Sequence, residues 1–156
     1  MTIICSIIRT IFYLITINLR FSKKYYGKTV LMDDGLKFKI FRHIKLESKK
    51  NIPTGSIFIV RFKFKKFSHK TNMITSIIPI PSIAGFPNFR DKIWMIDWET
   101  GYWQGLYQWD NTSAIEKYKK SFVLGIMNKR SIKSSLSYKI IPDVNFEEYL
   151  KSILVN

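Results

Sequence analysis

Residues 56–64 read as the clearest strand of the chain. Phe58, Val60, Phe62 and Phe64 fall on one side of an extended backbone, and Ile57, Ile59, Arg61 and Lys63 on the other. Period-two alternation predicts a strand with two distinct faces. Ser68 then stands as an N-cap ahead of a helix reaching to about Ile78, where Pro79 and Pro81 stop it. Gly85-Phe86-Pro87-Asn88 is turn chemistry. It leads into strands over 92–98 and 102–109, joined around Glu99-Thr100-Gly101. Asn111 or Ser113 caps the next helix, and Ser113 has capping-box spacing to Glu116. Ile115, Tyr118, Phe122 and Ile126 supply that helix with an apolar stripe. A last strand covers 137–141 and ends at Pro142, and residues 146–154 suit a short C-terminal helix. The order strand, helix, hairpin, helix, strand predicts an α+β chain: a ferredoxin-like βαββαβ antiparallel sheet over residues 56–142, with two helices on one face.

Upstream, residues 27–55 read as a β-hairpin and linker. Strands over 28–32 and 36–44 flank Asp33-Asp34-Gly35, a strong hairpin signal, and the polar stretch 47–55 contains Pro53 and Gly55. Residues 1–26 form an apolar, amphipathic helix. Its polar residues (Ser6, Arg9 with Thr10, Tyr13, Thr16 and Arg20) recur every three or four positions, while Ile4, Ile8, Ile11, Phe12 and Ile15 occupy the remaining faces. Such a helix lies in a membrane interface, docks on its own domain, or docks on a partner. Arg9 makes a true span expensive. Arg20, Lys23 and Lys24 then suit an anionic lipid surface. The expectation is a cytoplasmic protein held peripherally at the membrane, with docking onto the domain as the competing reading. A cleaved signal peptide is not the expectation for this segment, which lacks a basic n-region and a small-x-small cleavage site. Residues 143–156 are left as a short helical tail.

Length sets the scale: 156 residues make about one domain. An aromatic content of 15% allows a small core to bury much area. The net charge of +15 invites a nucleic-acid or anionic-membrane partner. A compositional skew competes with that reading. Apolar positions are filled largely by Ile, positive ones by Lys, and alanine occurs only at Ala84 and Ala114. Arginine, the better phosphate fork, is sparse, which weighs against nucleic acid. The single cysteine, Cys5, excludes an internal disulfide and any multi-cysteine metal site.

The run Gly85-Phe86-Pro87-Asn88-Phe89-Arg90-Asp91-Lys92-Ile93-Trp94, followed by Gly101-Tyr102-Trp103-Gln104-Gly105-Leu106-Tyr107-Gln108-Trp109-Asp110, resembles the dimeric α+β barrel superfamily, and within it the mono-oxygenase branch. Those proteins often carry a Pro-Gly turn before the second strand and a Gly-x-Tyr-x-Trp-like strand before the second helix. Here Asn88 takes the place of the glycine, and asparagine also visits left-handed conformations. The resemblance covers about residues 56–142. It implies a homodimer whose two sheets pack face to face, with a pocket between sheet and helices in each protomer. It implies as well a small apolar or aromatic ligand, oxygenated without a cofactor.

Candidate pocket residues are the aromatics Trp94, Trp103, Tyr107 and Trp109, with Arg61 and Asp97 as polar groups on strands. The same aromatics would equally build a core and a dimer seam. The asparagine, tryptophan and histidine set of the family's haem-degrading relatives is not matched here, so no catalytic residue is carried over. His43 and His69 lie in different elements without an acidic cluster, which points to no metal site and to surface or capping positions for both. Two readings of other classes stay open. One is a non-catalytic, membrane-peripheral binding or scaffold protein. The other is RNA binding through an open aromatic sheet, since RNA-recognition modules share this element order. The strand over 102–109 has the aromatics but lacks the basic and glycine pattern of that signature.

Overall fold

The computed structural model describes residues 2–15, 18–47 and 54–155. Its centre is the expected βαββαβ unit. Strand β4 (Gly55–Phe62) is followed by α2 (His69–Thr75) and α3 (Ile80–Ala84). The hairpin β5 (Phe89–Ile96) and β6 (Trp103–Trp109) comes next, then α4 (Thr112–Lys119), α5 (Phe122–Arg130) and β7 (Ser137–Val144). The segment before it joins the same sheet. After helix α1 (Ile3–Ile15), strands β1 (Leu19–Phe21) and β2 (Thr29–Leu31) pair with opposite ends of the long β3 (Lys37–Leu46), and β3 pairs with β5. Among the described residues this makes one seven-stranded antiparallel sheet in the order β1-β3-β5-β6-β4-β7, with β2 beside β3. The chain is α+β with a ferredoxin-like core. The expected linker falls largely on residues 48–53, outside the described residues.

Local signals explain most element ends. Ser68 caps α2 by accepting from Thr71 N, and Asn111, not Ser113, caps α4 by accepting from Ala114 N. Asn88 adopts the left-handed region at φ 64°, as its place in the turn requires. Three expectations need correction. Pro79 and Pro81 do not simply end a helix: Pro79 is the N-cap of α3 and Pro81 sits in its first turn, where a missing N–H costs nothing. The stripe Ile115, Tyr118, Phe122, Ile126 is split between two helices, because Ser121 caps a new one by accepting from Leu124 N. Ile115 and Tyr118 are buried, while Phe122 and Ile126 are exposed. Strand β7 runs through Pro142, which an edge strand tolerates.

Both faces of the sheet are covered by this chain. The helix side carries Phe58, Val60, Phe62, Trp94, Trp103, Tyr107 and Trp109 against Ile83, Ile115, Tyr118 and Leu124. The other side carries Ile57, Ile59, Ile93, Met95 and Leu106, packed under Tyr25, Val30 and the C-terminal helix α6 (Phe146–Ile153). Phe146, Leu150 and Ile153 sit four and three residues apart, one face of a helix, and all are buried. Asn145 caps α6. Its first turn is tied down by Glu147, which accepts from the Tyr25 hydroxyl and from Lys24 Nζ at 2.7 Å. The sheet face expected to be open is thus filled by segments of this same chain. The β6 aromatics point to the helices, and the other face is filled in-chain.

Helix α1 docks on α3 through its polar side. Ser6 and Thr10 are buried, and Thr10 Oγ1 donates to the carbonyls of Ser6 and Pro81. The approach is close because Gly85 lacks a side chain; a Cβ there would fall 1.8 Å from Ser6 O. The apolar side faces outward, with Ile4, Ile8, Ile11, Phe12 and Leu14 exposed. Thr16 of the polar stripe lies outside the described residues. Among the described residues, no helix is long and apolar enough to cross a membrane.

Candidate functional site

Between the helix side of the sheet and its helices lies a cavity of about 320 Å³. The strand parity sets its floor. Lys92 and Trp94 stand two apart on β5, so they share a face, and their cross-strand partners on β6 are Tyr107 and Gly105. Gly105 leaves the floor open beside Trp94. Phe62 and Trp103 close the sheet side, and Ser76, Ile83, Tyr118 and Met127 line the helix side. Ile78, Phe122 and Ile126 are exposed lining residues and form an apolar mouth.

A bulge in β3 between Ile40 and Arg42 shapes the neighbouring wall. It sends Phe41 and Arg42 to the same side. Phe41 packs edge-on against Trp103 at 5.2 Å, while Arg42 donates to Ser76 Oγ and to Met73 O at 3.0 Å. Trp103 is fixed further by donating Nε1–H to His69 Nδ1 at 3.0 Å. His69 therefore does sit in the first turn of α2, where it orients a cavity wall. His43 does not fit the surface expectation: it is buried on the opposite face, its Nε2 2.5 Å from Asp91 Oδ1, with Nδ1 unpartnered. Among the described residues no cluster of histidine, cysteine or carboxylate could hold a metal ion.

Lys92 is the unusual group. It is 5% exposed, and no carboxylate lies near it among the cavity residues. Its Nζ stands 4.1 Å from the Trp94 ring centre and 4.3 Å from that of Tyr107. Burial, and then the charge of Arg42, push the Lys92 amine well below the usual lysine range. Tyr107 and Tyr118 hydrogen-bond through their hydroxyls, and burial pushes both phenols well above their ordinary value. The cavity thus holds a buried amine and two firmly protonated phenols inside an aromatic wall.

Of the six residues singled out from sequence, Trp94, Trp103 and Tyr107 line this cavity together. The other three lie elsewhere. Arg61 is on the opposite face, paired with Asp34 and donating to Gln104 Oε1 at 2.9 Å, at the edge of a shallower depression with Asp33, Asp34 and Lys139. Asp97 closes the β5–β6 turn by accepting from the backbone N–H of Glu99 at 2.9 Å and from the Thr100 hydroxyl at 2.7 Å. Trp109 is core, packed by Phe86, Phe89 and Tyr118. Lys92 and Tyr118 were not among the sequence candidates. For Lys92 a signal existed: it is in step with Trp94 and Ile96, the apolar side of its strand.

No family model matches the sequence, and no curated protein matches it. Solved structures do match. An anthrone oxidase-like protein superposes with TM-score 0.51 at 13% identity over 70% of this chain, which spans only 54% of that protein's length. A monooxygenase-like protein from Listeria innocua gives TM-score 0.53 at 12% identity, covering 74% of this chain and 68% of that one. A ferredoxin-fold protein from Listeria monocytogenes, related to antibiotic biosynthesis monooxygenases, gives TM-score 0.53 at 9% identity, covering 82% and 93%. At these identities the likeness is one of fold. The chain has the ferredoxin-like fold seen in these structures.

Proposed function

We propose that this chain binds a small, largely aromatic molecule in the cavity between sheet and helices and oxygenates it without a bound cofactor. The observation that carries the binding half is the cavity itself: about 320 Å³ walled by Trp94, Trp103, Tyr107 and Phe62, with one buried amine among them. That volume is at the small end of ligand pockets, which run from about 300 to 1,000 Å³. Oxygenation is supported by the fold shared with the monooxygenase-like proteins. For an activated methylene such as that of anthrone, the step consumes one dioxygen, converts the CH₂ to a carbonyl and releases one water.

Titration with anthrone, read by tryptophan quenching and by dissolved-oxygen uptake, tests both halves. Binding with uptake is the expected result, and Trp94→Ala should weaken both. Filling the cavity with Met127→Trp should abolish binding. Failure of anthrone and other two- and three-ring aromatics to bind would overturn the reading.

A second reading is favoured by α1, whose exposed apolar side and following basic residues suit a peripheral, anionic membrane surface. The two readings use different parts of the molecule and are compatible.

A further inference from the structure

The charges around the cavity are all of one sign. Lys92 and Arg130 line it, and Arg42 acts electrostatically on Lys92. No aspartate or glutamate lines it among the described residues. The two arginines are satisfied by neutral partners: Arg42 by Ser76 and Met73 O, Arg130 by Asn72 Oδ1 at 3.1 Å. Among the described residues, Lys92 has only the ring faces of Trp94 and Tyr107. A buried amine with no counter-ion, aimed into an apolar cavity beside two further cations, is an incomplete ion pair. The missing half is an anion with an apolar body.

We propose that the cavity takes a monoanionic carboxylic acid built on one or two rings, its carboxylate set against Lys92 Nζ and its rings against Trp94 and Tyr107. The proposal rests on the aromatic-ligand reading above and narrows its ligand class. Binding is coupled to a proton. In the empty cavity, burial and Arg42 favour the neutral amine; an arriving carboxylate favours the ammonium, so one proton is taken from solvent onto Nζ. The other groups that face this amine do not supply that proton. Tyr107 of β6 and Tyr118 of α4 stay protonated, because burial holds both phenols above their ordinary value. Strand β4, α2, α3 and the start of α1 present only apolar groups, Ser76 and Ser82.

The test compares 2-naphthoate with its uncharged analogue 2-naphthamide on the full chain, by tryptophan quenching and by calorimetry in two buffers of different ionisation enthalpy. The expected results are at least tenfold tighter binding of naphthoate at pH 7 and a net proton uptake when it binds. Affinity for the acid should fall as pH rises, by at most tenfold per pH unit for one linked proton. Lys92→Met should lose the preference and the uptake while still binding naphthamide. Equal binding of acid and amide by the unaltered protein would overturn this inference and leave the aromatic-ligand reading standing. Preference for the acid without uptake would overturn the protonation step. Absence of binding by both compounds would overturn both readings together.

Discussion

Tyr107 lies across Gly105, two residues earlier on the same strand: a Cβ on that glycine would come within 2.8 Å of the Tyr107 ring. The ring cannot yield freely. It is 1% exposed and packed against Phe58 and Tyr118, with Lys92 Nζ over it. Gly105→Ala should therefore cost about 1–3 kcal/mol, the usual range for overpacking. Thermal unfolding measures that loss. The displaced ring has only the cavity to move into, so aromatic probes should bind more weakly as well. An unchanged melting temperature together with unchanged binding would show that the ring relocates without cost.

Lys92 is expected to destabilise the empty protein. Its amine is held below the lysine range when folded, so between its folded value and pH 10.5 the unfolded chain binds more protons than the folded one. Stability linked to this group therefore rises with pH up to the unfolded value and levels off above it. Lys92→Met, close in volume and uncharged, should raise stability at pH 7 by on the order of 1–4 kcal/mol. The gain should shrink as pH approaches 10.5. Urea unfolding at pH 7 and pH 10 decides it; a gain that stays constant with pH would show that charge is not the cause.

Why Lys92 escapes a first reading, and α1 half escapes it, is a matter of what periodicity encodes. The alternation through Phe58, Val60 and Phe62 fixes two faces of β4, and it already sets Arg61 with Ile57 and Ile59, away from the helices. The same parity places Asp97 opposite Trp94. A charged residue inside a strand ordinarily marks the wet face, yet β5 is a central strand buried on both sides, so the charge carries no such information there. In α1 the period shows a polar and an apolar side but not which one packs. That choice is made by Gly85 and by the carbonyl of Pro81, which accepts from Thr10, far away in sequence. The Ser121 cap that splits α4 from α5 is a local signal, but the apolar spacing across it mimics one continuous helix.

The role of α6 as a cover can be tested by ending the chain at Asn145. Phe146, Leu150 and Ile153 each bury a side chain worth about 2 kcal/mol, and beneath them lie Ile57, Ile93 and Leu106. The truncated chain should expose that face and self-associate, while the full chain should not associate through it. Light scattering reads the difference. Glu147 adds a pH component. Burial alone would raise its carboxyl, but the hydrogen bonds from Lys24 and Tyr25 outweigh that and hold it below the usual value. Stability from this contact is present above the unfolded carboxylate range and lost as pH falls through the folded one. Glu147→Gln should flatten that acid limb.

The outward face of α1 gives the last expected outcome. A helix normally buries its apolar side, because removing that area from water is what stabilises docking. Here Ser6 and Thr10 are inside, while Ile4, Ile8 and Phe12 are at least 60% exposed. Arg9 on the helix and Arg20, Lys23 and Lys24 after it are exposed too. An apolar face beside cations matches the chemistry of an anionic bilayer surface, where rings and branched chains enter the acyl boundary and lysines meet headgroups. Cosedimentation with phosphatidylglycerol vesicles should exceed that with phosphatidylcholine vesicles and weaken with salt. Replacing Ile4, Ile8 and Phe12 with serine should reduce it about tenfold or more. All three side chains are at least 60% exposed, so the melting temperature should stay within a few degrees. Binding that survives the triple replacement but remains salt-sensitive would assign the attraction to the +15 charge alone and leave α1 without a part in it.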